Sequence, residues 1–220
     1  MDAIEHAKAL ISRLSTTKPD LTSIRASAKE TGKSQEIAQY LWKHGGTESK
    51  LPSLLVLELK ATDPGLVETL ITDIAAADKA DQRQLCDWLM ANVLMYKASL
   101  KKEALKWISE RSSIKRRIFW SVRARSVRTE DHELNQELLG FLEQNMALEE
   151  EMVQENMNWC AAQIGIADEK LHSRCVRLRE NLGLYKDYPV SKGCTSPYLP
   201  IWIESIVGKK SKLNAAPHSL

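Results

Sequence analysis

The chain has 220 residues, enough for one sizeable domain or two small ones, and it can bury a core without disulfides or a structural metal. Its 43% hydrophobic and 27% charged residues exclude a disordered chain, and nine glycines with seven prolines are too few turn formers for an all-β fold. The net charge of +2 hides a segregation: residues 97–128 hold eleven Lys/Arg and two Asp/Glu, whereas residues 129–155 hold nine Asp/Glu and no Lys/Arg.

The chain opens Met1-Asp2-Ala3-Ile4-Glu5, with acids where a signal peptide needs a basic and then an apolar stretch. No apolar run approaches the 18 residues of a membrane span. Helical texture is expected around residues 4–14, 21–29, 34–44 and 54–61. Between the second and third of these, Thr31-Gly32-Lys33-Ser34 imitates the end of a phosphate-binding loop. The full pattern needs glycine where Ser27 stands and a strand where a helix is expected, so Gly32 is read as a helix stop and Ser34 as the next cap.

Asp63-Pro64 starts a helix in which Leu66, Leu70, Ile74 and Ala77 share one face. The next helix begins near Asp81 and aligns Leu85, Leu89, Asn92 and Tyr96, and another runs from Ser99 through Trp107 and Ile108. Ser112-Ser113 breaks it and caps a helix with Ile114, Ile118, Val122 and Arg125 in line. Further helices are centred on Leu134 to Leu142, on Val153 to Ile164 and on Leu171 to Leu178. Residues 185–200 hold three prolines and read as an ordered, tyrosine-rich loop; residues 209–220, with Lys209, Lys210 and Lys212, read as a flexible basic tail. A dozen short amphipathic helices cannot all surround one bundle core, whereas stacked pairs bury a continuous ribbon between layers. The expectation is an all-α chain, an α-solenoid forming one helical-repeat domain over residues 1–208.

Four cysteines at 86, 160, 175 and 194 make no CxxC pair, and five histidines make no HxxxH, so no metal site is expected and reduced cytoplasmic thiols are. The most informative stretch is Lys115-Arg116-Arg117-Ile118-Phe119-Trp120-Ser121-Val122-Arg123. On a helix Arg116, Trp120 and Arg123 fall at i, i+4 and i+7, mixing guanidinium groups that grip phosphates with an indole that packs on a sugar or base. The competing reading is a solvated arginine face with Trp120 in the core. The two charge blocks likewise either pair with each other or leave a basic surface for a polyanion.

The segment Trp107-Ile108-Ser109-Glu110-Arg111-Ser112-Ser113-Ile114-Lys115-Arg116-Arg117 resembles the helix–break–helix of the DNA alkylation repair family, the AlkD-like glycosylases. There an arginine ten residues after a Trp-Ile pair contacts DNA, a role that falls on Arg117. Val153-Gln154-Glu155-Asn156-Met157-Asn158-Trp159 is similar to a later helix of the family and carries a DNA-facing role onto Trp159. Lys192-Gly193-Cys194-Thr195-Ser196-Pro197-Tyr198 looks like a C-terminal loop of some members.

The resemblance implies HEAT-like antiparallel helix pairs whose basic concave face, with Arg117 and Trp159, holds duplex DNA; the basic helix itself adds Lys115, Arg116, Trp120 and Arg123 as DNA-binding candidates. The resemblance also implies a monomer that needs no cofactor. Family enzymes hydrolyse the N-glycosidic bond of cationic alkylated purines, using a carboxylate to stabilise the oxocarbenium-like sugar. The family's run is aromatic-Asp-x-x-Asp; the matching stretch is Cys86-Asp87-Trp88-Leu89-Met90, with a thioether where the catalytic acid should be. Either Asp87 and Trp88 serve after a shift of register, or the protein binds DNA without cutting it. Asp87 also has a structural role open to it, pairing with Arg83 one turn earlier. The alternative from another class is a non-catalytic protein-interaction α-solenoid.

Overall fold

A computed structural model describes residues 2–17 and 19–215. Among the described residues there are twelve α-helices and no strand, the all-α class expected. The chain's contacts gather into two compact units, Met1–Ile118 and Phe119–Leu220, with the division inside a helix.

The first unit contains α1 (Ala3–Thr17), α2 (Leu21–Thr31), α3 (Gln35–His44), α4 (Thr47–Val56), α5 (Pro64–Ala75), α6 (Lys79–Asn92), α7 (Ala98–Ala104) and the start of α8 (Ser113–Ser126). Side-chain caps start four of them. Asp20 accepts from the Ser23 amide, Ser34 from Ile37, Asp63 from Leu66 and Asp78 from Ala80 and Asp81. Each such cap is worth about 1 kcal/mol, so boundaries readable as Asp or Ser are also energetically defined. Gly32 ends α2 at φ 73°, where only glycine is at ease, and its amide returns to the Ala28 carbonyl. Lys33 Nζ donates to the Leu55 carbonyl at 2.6 Å, so the Thr31–Ser34 sequence is a helix stop followed by a cap, with no phosphate loop.

Two expected boundaries move. The helix placed at residues 54–61 is α4, and it contains Pro52 in its second turn. Leu51, Leu54 and Val56 are fully buried, and that burial keeps the helix intact across the missing amide. The helix expected to run from Ser99 past Trp107 stops at Ala104, and Trp107–Ser109 forms a separate 3-10 turn with the indole buried. In the interior α1 packs on α3, α2 on α4, α3 on α4 and α4 on α6.

The second unit holds the rest of α8, then α9 (His132–Asn145), α10 (Glu151–Ala167), α11 (Glu169–Leu182) and α12 (Leu199–Ala215). Helix α10 is its axis, packed on α9, α11 and α12, and it buries Val153, Met157, Cys160, Ala161 and Ile164 completely. Gly165 lets three helices close up: a Cβ there would lie 2.6 Å from Ile203 Cδ1 and 3.0 Å from Cys175 Cβ. Asp168 is buried at the end of α10, within 2.7 Å of His132 Nδ1. Residues 183–198, between α11 and α12, carry no helix. Helix α12 continues through Ala215, while residues 216–220 lie outside the described residues.

Candidate nucleic-acid interface

The matched active-site run lies on α6, where successive side chains turn by about 100°. Cys86 and Met90 face the core at 0% and 1% exposure. Asp87 faces outward and keeps 47% of its side chain in solvent. The position that corresponds to the family's catalytic acid is therefore an interior one, and a thioether is the kind of side chain an interior tolerates. Burial pushes the Cys86 thiol far above its ordinary range, so it is no nucleophile; Sγ points at the Ile114 carbonyl, 3.8 Å away on α8.

Asp87 does not stand alone. Arg117 lies across from it on α8 and closes a two-pronged fork, Nε to Oδ1 at 3.1 Å and Nη2 to Oδ2 at 3.0 Å. The two partners are unequal: Arg117 has 5% of its side chain exposed. Its guanidinium is committed to the Asp87 carboxylate and lies under the surface. A carboxylate engaged by guanidinium on both oxygens has less negative charge to offer a developing sugar cation. Trp88 is 8% exposed, with the Arg25 guanidinium 5.1 Å above its ring, so it is not presented as a free stacking face.

The neighbouring basic residues divide by role. Lys115 Nζ binds Glu68 at 2.8 Å and lies 5.3 Å over the Trp107 ring. Arg116 donates to the carbonyls of Glu110 and Arg111 at 2.7 and 2.8 Å, bracing the break before α8. Lys106 pairs with Glu103 on the surface. Lys102, Lys106, Arg111, Arg125 and Arg128 are exposed.

Trp120, the middle member of the expected Arg116, Trp120 and Arg123 stripe, is not at the surface of the second unit. Trp120 is completely buried, edge-on to Phe119 at 5.0 Å and 5.6 Å from Phe141. Its indole Nε1 has no hydrogen-bond partner among the described residues. The reason is composition: Ile118, Phe119, Trp120, Ser121 and Val122 are all buried, so this turn of α8 is enclosed on every side. Arg123 is half-buried over the Phe119 ring at 5.4 Å, and burial holds its guanidinium below the ordinary value.

Trp159 is half-exposed, and the exposed Arg125 lies 5.2 Å over its ring. It lines a recess of about 310 Å³ with Glu151, Glu155, Tyr185, Tyr188 and Trp202. Tyr185 is held at φ 61°, a left-handed backbone that costs a tyrosine roughly 1–2 kcal/mol. Aromatic faces with carboxylates beside them attract cations and repel phosphates. The sequence reading named Trp159 but missed this company; the tyrosines of the 185–200 loop and the Glu151/Glu155 spacing of one helical turn were its only traces.

The ion pairs also address how the charge blocks are used. Lys115 and Arg117 pair with Glu68 and Asp87 in the first unit, while Glu143 of the acidic block is forked by Arg174 of α11 at 2.7 and 2.6 Å. Among the described residues no group of three or more His, Cys, Asp or Glu side chains could hold a metal ion, and no helix is long and apolar enough to cross a membrane.

Comparison with known proteins agrees with this architecture. The family described as DNA alkylation repair enzyme matches residues 8–182. One solved structure superposes over 94% of this chain and 88% of its own, with a TM-score of 0.63 and 16% identity. It represents a new family of proteins related to the HEAT-like repeat DNA glycosylases with affinity for branched DNA structures. At that identity the likeness speaks for the fold. No curated protein matches the chain.

Proposed function

Because the chain belongs to the DNA alkylation repair family, we propose that it binds DNA through residues 97–128, as a monomer in the cytoplasm, and does not use Asp87 to cut. The observation that carries this reading is exposed positive charge on each unit: Lys102 and Arg111 are at the surface of the first, Arg125 and Arg128 at the surface of the second. Exposed cations displace the counterions condensed on a phosphate backbone, a term that needs no base recognition. It also tolerates many DNA shapes, duplex DNA being the simplest.

Against cleavage at α6 stand the burial of Met90 and the fork that ties Asp87 to Arg117. One observation favours a second reading, in which the protein is still a glycosylase. The aromatic and acidic recess around Trp159 has the chemistry to hold a planar cationic base. Fluorescently labelled duplex and four-way junction DNA, titrated from about 50 to 200 mM salt, test the main reading. Log affinity should fall linearly with log salt, by roughly 0.9 per phosphate neutralised. No binding to either DNA at the lowest salt would leave the protein-interaction scaffold as the better reading. Release of alkylpurine from methylated DNA would establish the second.

A further inference from the structure

A large cleft in the first unit shares no lining residue with the candidate interface. In the first unit α3 and α5 flank a cleft of about 570 Å³ whose floor is α4. Small-molecule sites usually measure about 300–1,000 Å³, with mostly apolar walls and few polar groups. The walls here are Leu57, Leu66, Leu70 and Ala77, with the edge of Trp42. Two of the lining hydroxyls already donate inside the protein, Ser53 to the Ala38 carbonyl and Thr69 to the Gly65 carbonyl.

What remains polar is concentrated around Trp42. Its indole Nε1 donates to Asp73 Oδ2 at 2.7 Å, tying α3 to α5 across the cleft. Lys50 Nζ sits 5.5 Å over the same ring, and the exposed Lys43 is the next residue along α3. Two lysines and one aspartate therefore line the cleft, and one oxygen of that carboxylate is already taken by the indole. We infer that this cleft is a binding site for an amphiphilic anion, an apolar body ending in a carboxylate, sulfonate or phosphate. The body would replace water against the leucines, and the head would complete the charge of Lys43 and Lys50. A cationic amphiphile would meet two like charges, and a neutral one would leave both ammonium groups with water only. The cleft uses α3, α4 and α5, so the inference is independent of DNA binding by residues 97–128.

The test uses 8-anilinonaphthalene-1-sulfonate, which joins an aromatic body to a sulfonate, and full-length protein. Its fluorescence should rise to saturation at one equivalent. Decanoate should displace it at least tenfold more effectively than decanol or decyltrimethylammonium. Lys43→Met with Lys50→Met should weaken both anions at least tenfold, and Ala77→Trp should remove binding by filling the cleft. All variants are checked for an unchanged melting transition and unchanged DNA affinity. The inference is overturned if the dye does not saturate, if the cationic amphiphile displaces it as well as decanoate, or if the lysine variants bind like wild type. It is also overturned if the protein dimerises through this cleft and the dye binds only the monomer.

Discussion

The Asp87–Arg117 fork makes the sharpest prediction, because the two partners are exposed so differently. Removing one member of a fully buried pair costs about 3–5 kcal/mol, since the other charge is left without compensation. Here Arg117 is 5% exposed but Asp87 is 47% exposed, so water reaches the carboxylate side and part of that cost is recovered. Two charge-assisted bonds at 3.1 and 3.0 Å then imply about 1.5–3 kcal/mol for Asp87→Ala, and less for Asp87→Asn, which keeps one acceptor. A double-mutant cycle with Arg117→Met, read by urea unfolding, should give a coupling energy of about 1–3 kcal/mol. The same variants separate the structural role from a DNA role. Arg117→Met should leave the salt dependence of DNA binding as in wild type, whereas Arg111→Ala should lower its slope by about 0.9. A coupling below about 0.5 kcal/mol, or a slope that falls with Arg117→Met and not with Arg111→Ala, would refute the reasoning and return Arg117 to the phosphate-contact role suggested by the family resemblance.

Three further outcomes follow from burial. Met90→Asp, which restores the family's acid at a 1% exposed position, should destabilise the protein by several kcal/mol in denaturant melts and yield no release of alkylpurine from methylated DNA. Gly165→Ala should cost about 1–3 kcal/mol, because its Cβ would lie within 3.0 Å of Cys175 and closer still to Ile203; a melting curve equal to wild type would mean the three helices are looser than they stand. At neutral pH one thiol, the exposed Cys194, should react quickly with Ellman's reagent, since Cys86, Cys160 and Cys175 are buried, burial pushing Cys175 up to about 12 and the other two higher; three fast thiols would contradict the core. These raised values mean that the unfolded chain loses thiol protons first, so the contribution is complete below an ordinary thiol value of about 8.5. Stability should therefore fall as pH rises from there toward 12, by up to about 1.4 kcal/mol per pH unit for each thiol.

Much of the fold was legible because local chemistry and tertiary structure agree. Asp63-Pro64, Gly32 and Ser34 mark boundaries that their own side chains or backbones enforce, so a reader of the chain meets the same atoms that hold the structure. Pro52 misled for the opposite reason: its local cost is outweighed by burial of Leu51, Leu54 and Val56, which lies outside any window of neighbouring residues. The candidate site was less legible, and α8 shows why. Periodicity reports which residues share a stripe, but on a helix with bulky apolar side chains on several faces it does not say which stripe meets water. Arg116, Trp120 and Arg123 do share one, and the tryptophan is wholly inside.

Arg117 illustrates a deeper limit. Its separation of thirty residues from Asp87 is invisible in either helix alone, yet that pairing decides what both can do. An acid in the right motif position and an arginine at the right spacing were read as two independent functional residues, one for chemistry and one for phosphate. Bonded to each other, they neutralise the charge that each would have brought to DNA. On the proposed reading, the charge offered to a phosphate backbone comes from cations not consumed in this way, such as the exposed Lys102 and Arg111 of the first unit and Arg128 of the second. Met90 fits the same logic: it occupies the interior while Asp87 serves as the counter-ion of a buried guanidinium, so on the proposed reading α6 contributes to stability rather than to chemistry.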